Sequence, residues 1–254
     1  MGCNDYIVLN LKSTASTNDF VRTLSKSLKP DNPYVVVRTD YQTNGRGQTG
    51  NSWESEDGKN LLFSVLYRPK NVKAKNMFCL SQAIALSIKE VLSLYIKDVT
   101  IKWPNDIYWH DKKIAGILIE NELSGKFVDS CIMGVGINVN QKVFLSDAPN
   151  PVSMIQIINS EIPVTELLEL IMIRLKSFVE QIERGEYLRI ETNYSHSLYR
   201  GSGYYEYEDD NGRFVAKVHN IEPNGVLVLL DTDGKMREYQ FKEVRFIISN
   251  KKEG

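Results

Sequence analysis

The sequence predicts an α+β fold followed by a small β-barrel. Three observations predict it: strand patterns come in runs, the helical patterns stand apart from them, and after about Arg200 short β-like stretches alternate with glycine turns. With 254 residues the chain can bury one sizeable core and still carry a smaller appendage. Its composition, 42% apolar and 25% charged, is that of a packed globular protein.

The elements follow in order. Ser16-Thr17-Asn18 precedes apolar residues at Phe20, Val21, Leu24 and Leu28, a capped amphipathic helix that Pro30 ends. Tyr34 to Thr39, with three consecutive valines, and Leu61 to Tyr67 read as buried strands with a glycine-rich loop between them. Met77 to Tyr95 has helical spacing. Val99 to Trp103 is a strand that Pro104 stops, because proline cannot continue a central ladder. Ile107 to Trp109 and Ile114 to Ile119 flank His110-Asp111-Lys112-Lys113 as a hairpin, and Phe127 to Met133 follows a Ser124-Gly125 turn, which makes an antiparallel meander. Gly134 to Asn140 closes it, and a long amphipathic helix then runs from Thr165 to about Arg184. Beyond Arg200 the β-like runs are Arg213 to Val218, Val226 to Leu230, Met236 to Phe241 and Val244 to Ile248, punctuated by Asn211-Gly212, Asn224-Gly225 and Asp233-Gly234.

Charge and cysteine usage exclude several classes. Lys and Arg total 31 against 32 Asp and Glu, so no global field draws the molecule to nucleic acid or to an anionic membrane, and any anion must be bound locally. The longest apolar stretch, Met77 to Leu86, is broken by Ser81 and Gln82, so neither a spanning helix nor a secretory signal is expected. Cys3, Cys79 and Cys131 are widely spaced, without a metal or disulfide framework, and a reducing cytoplasm fits.

Gly45-x-Gly47-x-x-Gly50 has the outward form of a dinucleotide loop, yet Asn51-Ser52-Trp53-Glu54 leads on through Gly58 into a strand, where that loop must open a helix. No Walker pattern is present either. What remains is a glycine-rich turn with one guanidinium, Arg46, able to meet a phosphate or carboxylate; the bland alternative is a solvated surface turn. Lys102-Trp103-Pro104-Asn105-Asp106 adds a cation, an amide and a carboxylate at a strand end. Lys113-Ile114-Ala115-Gly116 adds a lysine on a strand whose small residues admit a ligand. Trp103 reads as a core aromatic.

Taken in order, five blocks make the chain resemble the biotin protein ligases: Ser16-Thr17-Asn18; Tyr41 to Gly47 with Trp53; Lys102 to Asp106; Lys113 to Glu120; and Gly134 to Asn138. The resemblance covers nearly the whole chain. It implies a mixed-sheet catalytic domain over residues 1–199 and an SH3-like barrel over 200–254. Members that repress transcription carry an N-terminal winged helix, for which the Ser16 block begins too early, so a DNA-binding role is not expected.

The resemblance further implies formation of biotinyl-AMP from biotin and ATP with Mg2+, then transfer to a lysine of a biotin carboxyl carrier protein. Arg46 and Lys113 are the implied catalytic residues, and Asp106 is the candidate for orienting or deprotonating the incoming lysine, with a metal or hairpin-stabilising role as the alternative. Ser16, Thr17, Asn18, Gln42, Gly45, Arg46, Lys113 and Gly116 are implied at biotin. Arg46, Gly47, Gln48, Trp53, Lys102, Asn105 and Asn138 are implied at the nucleotide. A carboxylate is already deprotonated near neutral pH, so the first step calls for alignment and cations rather than a base. Many family members have Arg where Gln48 and Asn51 stand, and looser retention of the adenylate is the expectation here. A homodimer through an exposed sheet edge is a further expectation. The rivals are a lipoate or octanoate ligase, whose Gly-Gly-Gly and His-Asp signatures are missing, and a non-catalytic ligand sensor, against which Arg46 and Lys113 together argue.

Overall fold

Hydrophobic patterning accounts for most elements of the computed structural model, which describes residues 6–27, 34–48, 50–146 and 148–248. β1 (Ile7–Thr14), α1 (Thr17–Ser25) and β2 (Tyr34–Gln42) form a strand–helix–strand unit in which β1 and β2 are parallel. The sequence reading did not anticipate β1. α1 ends at Ser25, and the stop expected at Pro30 lies outside the described residues. Ser16 occupies the N-cap position, but its side chain makes no capping bond, which leaves the hydroxyl free for other partners.

β3 (Leu61–Tyr67) is buried along its whole length. α2 (Phe78–Leu92), β4 (Val99–Lys102), β5 (Asp106–Trp109), β6 (Lys112–Ser124) and β7 (Phe127–Ile137) follow. The seven strands lie in the order β1-β2-β3-β7-β6-β5-β4, and every pair except β1–β2 is antiparallel, so the sheet is mixed. Then come α3 (Met154–Ile158), α4 (Val164–Glu183) and α5 (Tyr187–His196).

The two faces of the sheet are covered unequally. α2, α4 and α5 pack together on one face over the main core, which includes Phe63, Val65, Leu80, Ile84, Ile171 and Leu175. α1 covers part of the other face, where Val21 packs with Val35, Val37, Leu66 and Ile132. The rest of that face is left to the loops. Side chains alternate along each strand, so a single register row places Ser64 of β3, Gly134 of β7 and Leu118 of β6 side by side on it, and the next row places Gly136, Gly116 and Asp106 there.

Residues 197–199 run along the outer edge of β4, with Ile101 N–H donating to Ser197 O and Tyr199 N–H to Ile101 O, both at 2.8 Å. A second, antiparallel sheet then begins: β8 (Tyr205–Asp209), β9 (Gly212–Ile221), β10 (Leu227–Asp231), β11 (Met236–Tyr239) and β12 (Arg245–Phe246), in the order β11-β10-β9-β8-β12. It matches the small β domain expected there. Trp103, expected as a core aromatic, is buried and also donates its indole N–H to Gly225 O at 2.9 Å, fastening the two sheets together.

Candidate active site

A cleft of about 700 Å3, counted with its open mouth, lies on the half-covered face of the large sheet. Its floor is made by the absence of side chains. A Cβ on Gly134 would come within 2.1 Å of Asn18 Oδ1, and one on Gly136 within 2.4 Å of the Trp53 ring. One on Gly116 would meet the same ring at 2.9 Å, so the three glycines let Asn18 and Trp53 lie directly on the strands.

At one end of the cleft sits a neutral hydrogen-bonded cluster. Thr17 donates through its backbone N–H and its hydroxyl to Gln42 Oε1, at 2.8 and 3.1 Å. The Ser64 hydroxyl lies 2.7 Å from Thr17 Oγ1 and 2.6 Å from Asn18 Oδ1, and Asn18 Nδ2 donates to Glu120 Oε2 at 2.9 Å. Ser16, Thr17 and Asn18 are all buried beside it. Ser64 was missed by sequence reasoning. Its signal was the one serine inside the fully buried strand Leu61–Tyr67, because a buried polar group needs a partner.

At the other end Lys113 Nζ lies 2.7 Å from Asp106 Oδ1 and 5.7 Å from the centre of the Trp53 ring. Its backbone is held on both sides, N–H to Asn150 O at 2.8 Å and O from Val152 N–H at 3.0 Å. The Gly45–Trp53 loop closes the cleft as a tight hairpin: Trp53 N–H donates to Gly45 O and Gly47 N–H to Asn51 O, both at 2.9 Å. Gly45 acts here as a support, since a Cβ would stand 2.5 Å from Trp53 O, while Gly47 and Gln48 line the cleft. Thr49 lies outside the described residues.

Arg46 reaches the cleft but is engaged with carboxylates. Its guanidinium is 2.6 Å from Asp19 and 3.6 Å from Glu120, and Arg22 pairs with the same two acids. Its Nε is buried with no hydrogen-bond partner among the described residues.

Two residues expected at the nucleotide stand elsewhere. Lys102 borders none of this cleft; its ammonium lies over the rings of Tyr108 and Phe246 beneath the second sheet, where burial lowers its pKa against the opposing pull of Asp106. Asn138 is buried with Nδ2 donating to Val152 O at 3.1 Å, and it borders a second cleft rather than the first. That second cleft continues past Trp53 and Lys113. It is walled by residues 50–54 on one side and by Phe144, Ser146 and Pro149 to Pro151 on the other. Asn105 lines the first cleft while its side chain donates to Ile117 O, so it holds β6 in place.

Residues 11–138 match the sequence profile of the biotin/lipoate A/B protein ligase family. That stretch is half of the chain and contains every residue that lines the first cleft. The chain belongs to the biotin/lipoate A/B protein ligase family.

Its relatives include the bifunctional ligase/repressor BirA of Bacillus subtilis, 29% identical over 234 residues, which are 89% of this chain and 70% of that protein. The biotin–[acetyl-CoA-carboxylase] ligase of Mycobacterium tuberculosis is 33% identical over 111 residues, 42% of this chain and 40% of that protein. In fold the chain is similar to the biotin protein ligase from Aquifex aeolicus in complex with biotin and ATP, with a TM-score of 0.76 and 24% identity over 95% of this chain and 99% of that one. The mixed seven-stranded sheet is therefore the catalytic fold of this ligase family. Among the described residues no helix is long and apolar enough to cross a membrane.

Proposed function

We propose that this protein is an ATP-dependent biotin ligase, which makes biotinyl-5'-AMP from biotin and ATP and passes the biotinyl group to a specific lysine of a biotin carboxyl carrier protein. One observation carries the reading. A neutral cluster of hydroxyls and amides faces a lysine along a single glycine-floored cleft, and a second cleft opens directly beyond that lysine.

Biotin has a neutral ureido head and a carboxylate tail, and the two ends of the cleft answer them. Ser16, Thr17, Asn18 and Gln42 offer donors and acceptors to the head, with Gly116 giving the ring system room. Lys113 receives the carboxylate and then the α-phosphate. In the first step a carboxylate oxygen attacks the α-phosphorus while the bond to pyrophosphate breaks. Both reactants are anions, so Lys113 and Arg46 act by alignment and by screening the developing charge. Arg46 reaches the adenylate by exchanging Asp19 for it. Trp53, Asn138, Phe144, Ser146 and residues 148–151 bound the nucleotide cleft, while Lys102, Gly45 and Asn105 support the site from behind.

In the second step the carrier lysine, as a free amine, attacks the acyl carbon and AMP leaves. Asp106 orients that amine and takes its proton once Lys113 turns to the phosphate. We assign Mg2+ to the nucleotide substrate, as MgATP. Among the described residues no group of three or more His, Cys, Asp or Glu could hold a metal, so no step is derived through a protein-bound ion. The catalytic unit is proposed to end at residue 199. Cytoplasm, where ATP and carboxylases meet, is the proposed compartment.

Incubation with ATP and either biotin or lipoate, followed by pyrophosphate release and by mass spectrometry of an added carrier domain, tests the function. Biotin alone should support both signals; an adenylate with lipoate and none with biotin overturns the assignment.

A further inference from the structure

The side chain of Glu54 belongs to no part of the chemistry described above, yet it joins the two walls of the second cleft. Its Oε1 accepts the Leu145 N–H at 2.8 Å and Gln141 Nε2 at 3.2 Å, and its Oε2 accepts the Ser146 N–H at 2.7 Å. Gln141 is itself buried and anchored to the same side of the cleft, because its Oε1 accepts the Glu56 N–H at 3.0 Å and the side-chain amide of Asn60. Gln141 also donates to Val143 O at 2.8 Å. A chain of hydrogen bonds thus runs from residues 54–60 across to residues 143–146.

The 143–146 segment has little else to hold it in this position. It is neither helix nor strand, and Leu145 is 86% and Val143 63% exposed, while Phe144 alone is half-buried against the cleft. The chain on either side of it is tied down by the Gln156 side-chain amide, which donates to Lys142 O, and by Asn150 O, which accepts the Lys113 N–H. Hydrophobic burial is therefore confined to Phe144, and two backbone amides donating to one carboxylate hold the residues that follow it. Burial raises the Glu54 pKa, but the bonds from Ser146 and Leu145 outweigh it, so the group is held below the ordinary carboxylate range and is ionised at neutral pH.

We propose that Glu54 is a positioning residue that fixes residues 143–146 as the far wall of the nucleotide cleft and so sets the affinity for ATP without touching the reacting atoms. The inference rests on assigning the second cleft to the nucleotide. Glu54→Gln and Glu54→Ala, made in the full chain, should each raise the KM for ATP about tenfold, the effect of losing charge-assisted hydrogen bonds that order a binding wall. The KM for biotin should stay within twofold, and the amides of Leu145 and Ser146 should exchange faster with deuterium. Glu54 is half-buried at the surface and the Gln variant keeps its size, so the core is untouched.

The same exchange measurement on the unsubstituted protein separates the two claims. ATP should protect the amides of residues 138–146, Ala148 and Asn150. Absence of that protection overturns the nucleotide assignment and this inference with it. Protection by ATP together with an unchanged KM for ATP in both variants overturns the role of Glu54 alone. A parallel rise in both KM values also overturns it, since that pattern reports general loosening rather than one wall.

Discussion

At Gly134 the site depends on an atom that is not there. A methyl group at this position would stand 2.1 Å from Asn18 Oδ1, and Asn18 cannot retreat easily because Leu118 O, Glu120 and Ser64 all hold its amide. Gly134→Ala should therefore raise the KM for biotin about 100-fold, the scale of a roughly 1 Å misplacement, and cost about 1–3 kcal/mol of stability through overpacking. Steady-state adenylation and a thermal melt check both numbers. Gln48 lines the same cleft with an uncharged side chain, where resemblance to the family leads one to expect arginine. Gln48→Arg adds a cation beside a phosphate anhydride, so dissociation of biotinyl-AMP should slow about tenfold, which a chase of labelled adenylate would measure. Equal rates would show that Arg46 suffices. Ser16-Thr17-Asn18, Arg46, Asp106 and Lys113 were legible because each stands in a short local pattern. Ser64 and Glu54 were not, because their partners lie 46 and more residues away in the chain.

Among the elements, β3, β4 to β7 and α4 were readable from periodicity, while β1, α3 and α5 were not. β1 is an edge strand with mostly exposed or half-buried residues, and only its parallel pairing with β2 defines it. The boundary element between the two sheets was half-legible. Pro104 announced the end of β4, but nothing local linked Trp103 to Gly225, which is 122 residues further on. Trp103→Phe keeps an aromatic ring, gives up part of the buried indole volume and leaves the Gly225 carbonyl without its donor. It should lower stability by about 1–3 kcal/mol and raise amide exchange at residues 224–226.

Across the whole molecule, the large sheet carries the clefts and the second sheet carries its own acid-sensitive supports. Tyr239 donates to Asp209 at 2.7 Å, and Arg237 donates to Asp231 at 2.8 Å with further bonds from the backbone of Lys235 and Asp233. These bonds depress both carboxyl pKa values in the folded state. A depressed folded value means stability that is present above the unfolded Asp value of about 3.9 and is lost as pH falls through the folded one. Protection factors for amide exchange in β10 and β11, corrected for the intrinsic rate at each pH, should therefore begin to fall below about pH 4, which reports a rise in opening. In Asp231→Asn, which cannot titrate, that rise should be smaller while stability at neutral pH is already reduced.

The sequence by itself determined the α+β class and the small β domain after Arg200. Each depends on residue type and short spacing, which the linear order contains. Tertiary structure alone decided that Ser64, Gly134 and Leu118 share one row, that Lys102 is sealed beneath the second sheet, and that Glu54 holds residues 143–146. Strand register and loop closure bring together residues far apart in the chain, and no local preference encodes which of them will meet.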